Sequence, residues 1–465
     1  MPAYGECLAL WRRFLPQAGL SGPGAGAAAG RNHIYANGIH HFGKVRLMEY
    51  IHSKDIFLLM RDTLKLVDRR AMDHGSRVAY YLYKMLECKG GYEKYELADF
   101  AFMASMHDIG AYKTDNPKDM LQYELRTSLP HSTYGYLVFK HLSPISELAP
   151  VILYHHTDYA QLKTLNFGYK DITAYLNLAE KVDIYSVALG DKFELSMFDK
   201  QAEKVVSREA LRLFQKAVDD FDVLTKVRKG QYKEELDDII SYLIFNNDDK
   251  KKYLEMLMYC QGFRRESAVV NTVTCMCIAE SLAQRMGVGG LDREEMYYGA
   301  LLHDIGMVAI PNEIIDAPRP LTEDEYKKVR MHVHVAEKVL HNRMAPEVVE
   351  IVAAHHERCD GSGYPRGLRE TQMNIRQEIV QLADAVTALL DKRSYRAAFT
   401  EQEMQDIIRK DSEAGKYDRV IVKTFFDYYE EIMQHMKERV EEILATYRKI
   451  NRQFKQVSGK MKSNH

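Results

Sequence analysis

The chain has 465 residues, of which 46% are hydrophobic and 28% charged, with a formal net charge of −2. That length exceeds one ordinary core, and the balanced charge excludes general polyanion binding, so no nucleic-acid polymer is expected as a partner. Six cysteines with no CxxC pair exclude a disulfide framework, and no apolar stretch reaches the ~18 residues that span a bilayer, so a cytoplasmic protein without a membrane partner is expected.

Residues 1–47, with SGPGAGAAAG at 21–30, cannot build a core and are expected to be a disordered or non-native leader. From Met48 helical periodicity takes over, and few alternating β-branched runs occur, which predicts an all-α fold. The expected organisation is an N-terminal helical bundle over 48–195, a helical linker over 196–254, a second bundle over 255–430, and a C-terminal helix with a basic tail over 431–465. LADFAFMASM (97–106) and EEMYYGALL (294–302) read as apolar helices, each running into a His-Asp pair. The stretches 203–224 and 428–450 read as long amphipathic helices: struts on the plain reading, a coiled coil joining a homodimer on the sharper one. Beyond them the tail KQVSGKMKSNH is expected to fray.

An internal repeat organises the rest. HDIG occurs at 107–110 and 303–306, paired histidines at 155–156 and 355–356, and LNLAEKVDIY (176–185) parallels VQLADAVTAL (380–389). HSTYG (131–135) and HVHVA (332–336) share a histidine followed four residues later by a small residue. Four matches in order at nearly one spacing argue for two copies of a single domain.

Each copy spreads histidines and carboxylates over several helices, and inward-facing side chains of a bundle can converge on one point. His with Asp is ligand chemistry for Zn, Mn or Fe rather than for Mg or Ca. The first copy offers His74, His107, Asp108, His131, His155 and His156, then Glu180 or Asp183; the second offers His303, Asp304, His332, His355, His356 and Asp384. A carboxylate directly after a histidine can bridge two metals, and two ions about 3.5–4 Å apart can activate water and clamp a phosphoryl group. A lone helical histidine is ordinarily a core or surface residue, but an ordered set in duplicate is not so explained. His334, Cys275 and Cys277 have no counterpart in the other copy and are set aside.

The order H…HD…H…HH…D resembles the HD superfamily of metal-dependent phosphohydrolases. HDIGMVAIP followed by HHERCDGSGYPRGL resembles the HD-GYP subfamily over about 255–430, and 60–195 resembles a plain HD domain without the GYP loop. The resemblance implies two tandem HD-type bundles and hydrolysis of cyclic di-GMP, at a di- or trinuclear iron or manganese site. It casts Asp304 and His303 as the catalytic pair, and a loop of Gly361, Gly363, Tyr364 and Pro365 as the wall of the substrate pocket. Glycines permit that turn and Tyr364 can stack on a base. Arg393 and Arg396 stand where the family holds phosphate or guanine.

Three positions depart from that pattern. Asn271 stands where the family has its first histidine, Met307 where it has a lysine, and Thr387 where it often has a second aspartate. Asparagine is a far weaker ligand than imidazole for these metals, so Asn271 is the doubtful member of the set. The expected activity is a cyclic di-GMP phosphodiesterase yielding pGpG and GMP. Cyclic GMP-AMP is the alternative substrate, and a weakened domain that binds the nucleotide without cutting it is the alternative class. The fuller ligand set of the first copy, with Lys113 after its HDIG, leaves that copy as either a second hydrolase or a structural partner.

Overall fold

The computed structural model describes residues 50–113, 129–262, 265–391 and 398–463. The expected leader, Arg393 and Arg396 lie outside the described residues. All named elements there are helices, and pairing between extended segments is limited to isolated bridges such as Asp360 with Arg369.

After α1 (Ser53–Val67), the first copy runs α2 (Arg69–Lys89), α3 (Lys94–Ser105), α4 (Leu129–Leu142), α5 (Ala149–Tyr154) and α6 (Lys170–Leu189). The linker region forms α7 (Arg208–Phe221), α8 (Val223–Arg228) and α9 (Tyr232–Ile240), and α10 (Asn247–Gln261) leads onward. The second copy repeats the five-helix order as α11 (Glu266–Arg285), α12 (Gly290–Leu302), α13 (Glu323–Leu340), α14 (Pro346–Ala354) and α15 (Ile375–Leu390). It closes with α16 (Glu401–Glu413), α17 (Arg419–Asp427) and the 35-residue α18 (Tyr429–Ser463).

Local chemistry sets these boundaries. Asp68 caps α2 by accepting from the N–H groups of Arg70 and Ala71, and Gly90 ends it at φ +73°. Within LTEDEY, Thr322 and Glu325 form a reciprocal capping box that starts α13. From the isoleucine of each HDIG the chain makes a short 3-10 turn, Ile109–Lys113 in one copy and Ile305–Ala309 in the other. The glycine in that turn lets two backbones touch. A Cβ at Gly110 would lie 2.0 Å from the carbonyl oxygen of His131, and one at Gly306 would lie 2.0 Å from that of His332. Each turn is thereby pinned against the helix that carries the next histidine.

The linker helices pack on the first copy rather than bridging open space. Phe214 meets Tyr81 with ring centroids 5.3 Å apart, and Tyr232 meets Tyr80 at 5.7 Å. One apolar core runs without a break from Ile51 to Ile450 through both copies.

The C-terminal helix continues to Ser463, past the point where fraying is expected. Its apolar seam (Ile432, Met436, Val440, Leu444, Tyr447 and Ile450) is buried within the chain itself, which is the strut reading rather than a free coiled-coil face. Through Ser281 with His435 it holds α11, and through Tyr134 with Asn451 it holds α4, so it ties the two copies together. Arg343 of the second copy reaches back to α1, donating to the carbonyl of Leu58 (3.2 Å) and pairing with Asp62.

Candidate metal centres

Both centres are built the same way: a residue on the first long helix, His-Asp at the end of the second, a histidine on the third, paired histidines ending the fourth, and an acid on the fifth. The backbone sets which imidazole nitrogen faces inward. Nδ1 of His107, His155, His303, His332 and His355 each lies 2.6–2.8 Å from the carbonyl oxygen three residues earlier. A carbonyl only accepts, so Nδ1 carries the proton and the bare Nε2 points into the centre.

In the first copy, Asp108 stands between two groups of histidines. Its Oδ2 lies 3.2 Å from Nε2 of His107 and 3.8 Å from Nε2 of His74, while Oδ1 lies 3.4 Å from Nε2 of His131 and 3.6 Å from Nε2 of His155. Two candidate ligand groups therefore share this carboxylate: His74, His107 and Asp108, and Asp108, His131, His155 and His156, the atoms of each group within 4.8 Å of one another. Nε2 of His131 and His156 are 2.8 Å apart, close to the ~3 Å between neighbouring ligands of one ion held by bonds of about 2.1 Å.

The chemistry of these atoms fits a cation. Nε2 of His74, His107 and His155, both oxygens of Asp108 and Oε2 of Glu180 are buried with no hydrogen-bond partner. Such a cluster is costly unless something positive sits among it. Burial would lower the His107 imidazole, but the Asp108 carboxylate beside it pushes it up to about 9, which marks a place that favours positive charge. Burial brings His131 down to about 3 and His156 to about 4, so both are neutral and able to ligate.

Glu180 and Asp183 have different partners. Glu180 Oε1 lies 3.0 Å from Nδ1 of His156, the place Asp384 takes in the second copy, where its Oδ2 lies 3.2 Å from Nδ1 of His356. Burial would raise both carboxyls, yet the neighbouring histidines hold them below the usual carboxylate range. Asp183 instead accepts from Nδ1 of His74 at 2.7 Å and from the Arg77 guanidinium at 2.6 and 2.8 Å. It orients His74 rather than standing in for Glu180.

The second copy gathers Asp304, His332, His355 and His356 into one group, with Nε2 of His332 and His355 3.1 Å apart. His303 stands beside it, 3.5 Å from Asp304 Oδ2 and 3.8 Å from Asp384 Oδ1. Asn271, the doubtful member of the sequence-derived set, donates its amide nitrogen to Asp391 at 2.8 Å. The Asp304 side chain is 30% exposed, against 7% for Asp108.

The GSGYP loop folds against this open centre around a residue that the sequence did not single out. Glu357 is fully buried, and its two carboxylate oxygens accept from the backbone N–H groups of Arg366 (2.7 Å) and Leu368 (2.8 Å). Gln381 holds the Glu357 carbonyl from the far side. Gly361 sits at φ +82°, and a Cβ on Gly363 would meet the Glu357 backbone at 2.4 Å, so both positions require glycine. Tyr364, before a cis bond to Pro365, donates its N–H to the His356 carbonyl at 3.1 Å, and its ring centroid lies 4.8 Å from that of His356. The Arg330 guanidinium lies 4.2 Å from the Tyr364 centroid. Arg77 and Arg330 were missed because their partners, Asp183 and Tyr364, lie far off in the sequence, and Glu357 because its partners are backbone N–H groups that residue types do not show. His334 is exposed and pairs weakly with Glu337, outside the centre.

Residues 258–421 match a family model described as an HD domain. That match lies over the second copy, the part of the chain that holds the HDIG at 303–306 and the GSGYP loop. The chain is 26% identical over 405 residues to 3'3'-cGAMP-specific phosphodiesterase 1 of Vibrio cholerae, covering 82% of this chain and 93% of that protein. It is 32% identical over 184 residues to a cyclic di-GMP phosphodiesterase of Thermotoga maritima, covering 38% of this chain and 49% of the relative, so it spans about half of that protein. A crystal structure of a cyclic GMP-AMP specific phosphodiesterase from Vibrio cholerae superposes with a TM-score of 0.52 at 15% identity, over 82% of this chain and 98% of that one, a likeness of fold. No described helix is long and apolar enough to cross a membrane.

Proposed function

We propose that the second copy is a metal-dependent phosphodiesterase that hydrolyses a cyclic dinucleotide, with cyclic di-GMP cut to pGpG and then GMP. The observation that carries this reading is Asp304: partly open to solvent, it faces His303 through one oxygen and His332 and His355 through the other, beside the GSGYP loop. Iron or manganese ions held by these residues would polarise the scissile phosphodiester and lower the pKa of the attacking water. The protein's own part is to present neutral Nε2 atoms in fixed directions, to keep the Asp384 carboxylate ionised beside His356, and to wall the site with the Glu357-anchored loop.

A second substrate reading, 3'3'-cGAMP, has specific support: the relative that matches over nearly its whole length carries that specificity in its name. A reading of another class, a nucleotide receptor without turnover, is favoured by Asn271, an amide where the family has an imidazole. For the first copy we propose that His74, His107, Asp108, His131, His155, His156 and Glu180 would hold divalent metal, which would supply positive charge to this buried cluster.

The deciding experiment offers metal-loaded protein equal amounts of cyclic di-GMP and 3'3'-cGAMP and follows both by chromatography. Linear products establish a phosphodiesterase, and the ratio of kcat/KM values names the substrate. Ligand retained without any product makes the second copy a receptor.

A further inference from the structure

A cyclic dinucleotide carries two phosphodiesters, and on the function proposed above the Asp304 cluster would take the one that is cut. The other, equally anionic, would be held by a cation of its own. Met307 occupies the position where the HD-GYP resemblance expects a lysine, so that charge has to come from elsewhere.

Arg330 sits on α13 two residues before His332, one turn after Tyr326. Its guanidinium lies 4.2 Å from the ring centroid of Tyr364 and 6.0 Å from that of Tyr326. Tyr364 in turn packs on His356, 4.8 Å between centroids. The guanidinium is thus held at the rim of the centre by two tyrosines.

Neighbouring arginines are otherwise engaged. Arg366 pairs with Glu350 at 2.9 Å, Arg319 pairs with Glu325 at 2.7 Å, and Arg358 donates to the Glu357 carbonyl at 2.7 Å. Among the described residues, Arg330 has no carboxylate within ion-pairing distance. A guanidinium stacked on an aromatic ring keeps its N–H edge free, and that edge matches two phosphate oxygens in parallel.

We propose that Arg330 is a substrate-binding residue that clamps the second, uncut phosphodiester of a cyclic dinucleotide, with Tyr326 and Tyr364 fixing its plane. This rests on the second copy being the cyclic-dinucleotide site. The role predicts discrimination: ligands with two phosphodiesters feel Arg330, whereas a single aryl phosphodiester does not.

The test compares wild type, Arg330→Ala and Arg330→Lys as metal-loaded full-length chains. KM and kcat are measured on cyclic di-GMP and 3'3'-cGAMP, Kd with fluorescent cyclic di-GMP, and kcat/KM on bis(p-nitrophenyl) phosphate; bound metal is counted by elemental analysis. Arg330→Ala is expected to raise KM and Kd about tenfold, the loss of one charge-assisted pair, with the aryl ester rate and the metal count unchanged. Arg330→Lys recovers part of the affinity, because it keeps the charge and loses the fork. Equal losses on the aryl ester, or an unchanged KM and Kd, overturn the proposal. If wild type binds cyclic di-GMP without cutting it, the phosphodiesterase reading fails while the Kd comparison still decides Arg330. If it neither binds nor cuts either cyclic dinucleotide, both readings fall.

Discussion

Nδ1 of His74 lies 2.7 Å from Oδ2 of Asp183, and both members of that pair are replaced in the second copy. Aligning Glu180 with Asp384 places Thr387 opposite Asp183, and Asn271 stands opposite His74. Thr387 turns its hydroxyl back onto the carbonyl of Ala383 at 2.8 Å, and Asn271 turns to Asp391. Their joint replacement has a physical reason. A buried aspartate that loses its imidazole partner is left with uncompensated charge, and a histidine that loses its aspartate loses its orientation.

Asp183→Asn keeps the volume but removes the charge that Arg77 and His74 share. Metal affinity of the first centre is expected to fall about 10–100-fold, as for other residues that orient a ligand. Elemental analysis after dialysis against a weak chelator reads this, alongside cyclic-dinucleotide turnover, which stays at the wild-type rate. A full metal complement in the variant would contradict the orienting role.

The reverse change rebuilds the pair. Asn271→His combined with Thr387→Asp is expected to raise the metal bound per chain by about one ion, because it restores an imidazole together with the acid that aims it. Either substitution alone is expected to add less. Equal metal content in the double variant and wild type would show that the lost pair is not what limits the second centre.

Glu357→Gln leaves one of the two N–H groups, Arg366 or Leu368, facing an amide donor in a fully buried place. The cost is about 1–3 kcal/mol, the price of an unsatisfied buried group. Thermal unfolding should shift down, and KM for the cyclic dinucleotide should rise more than kcat falls, since the loop is displaced rather than the ligands. A variant with wild-type Tm and KM would remove Glu357 as the anchor of the loop.

Glu378, at the start of α15, gives the fold a pH dependence. Burial first, then Asp418 and Glu370, push its carboxyl up to about 7. A folded-state value raised above that of the unfolded chain means the folded protein binds the extra proton, so stability is lost as pH rises from the ordinary carboxylate range through 7. Glu378→Gln should therefore raise Tm at about pH 8 and leave it nearly unchanged at about pH 4. An equal shift at both values would assign the effect to packing instead.

The all-α class and the duplicated His/Asp order were legible because both follow from short-range pattern: helical periodicity, and residue types that few other roles require together. The close turn at HDIG was not legible: Gly110 and Gly306 are required there by the backbone of the third helix of each copy, which comes from elsewhere in the chain. Orientation was not legible. Asp183 and Glu180 lie on one helix three residues apart, yet one backs His74 and the other His156, a choice made by where α2 and α5 end up. Nothing in HHERCD marks Glu357 as buried, and only the return of the chain at Arg366 and Leu368 makes it a buried acceptor. The seam of α18 could have faced a second chain, and it faces this one because both copies present apolar helices to it.

The central claim is that the second centre does the cutting. The measurement that tests it most directly is cyclic-dinucleotide turnover by metal-loaded wild type, Asp304→Ala and Asp108→Ala, with product resolved over time. The account predicts product from wild type and Asp108→Ala and none from Asp304→Ala. Turnover that survives Asp304→Ala and vanishes in Asp108→Ala would move the activity to the first copy and contradict it.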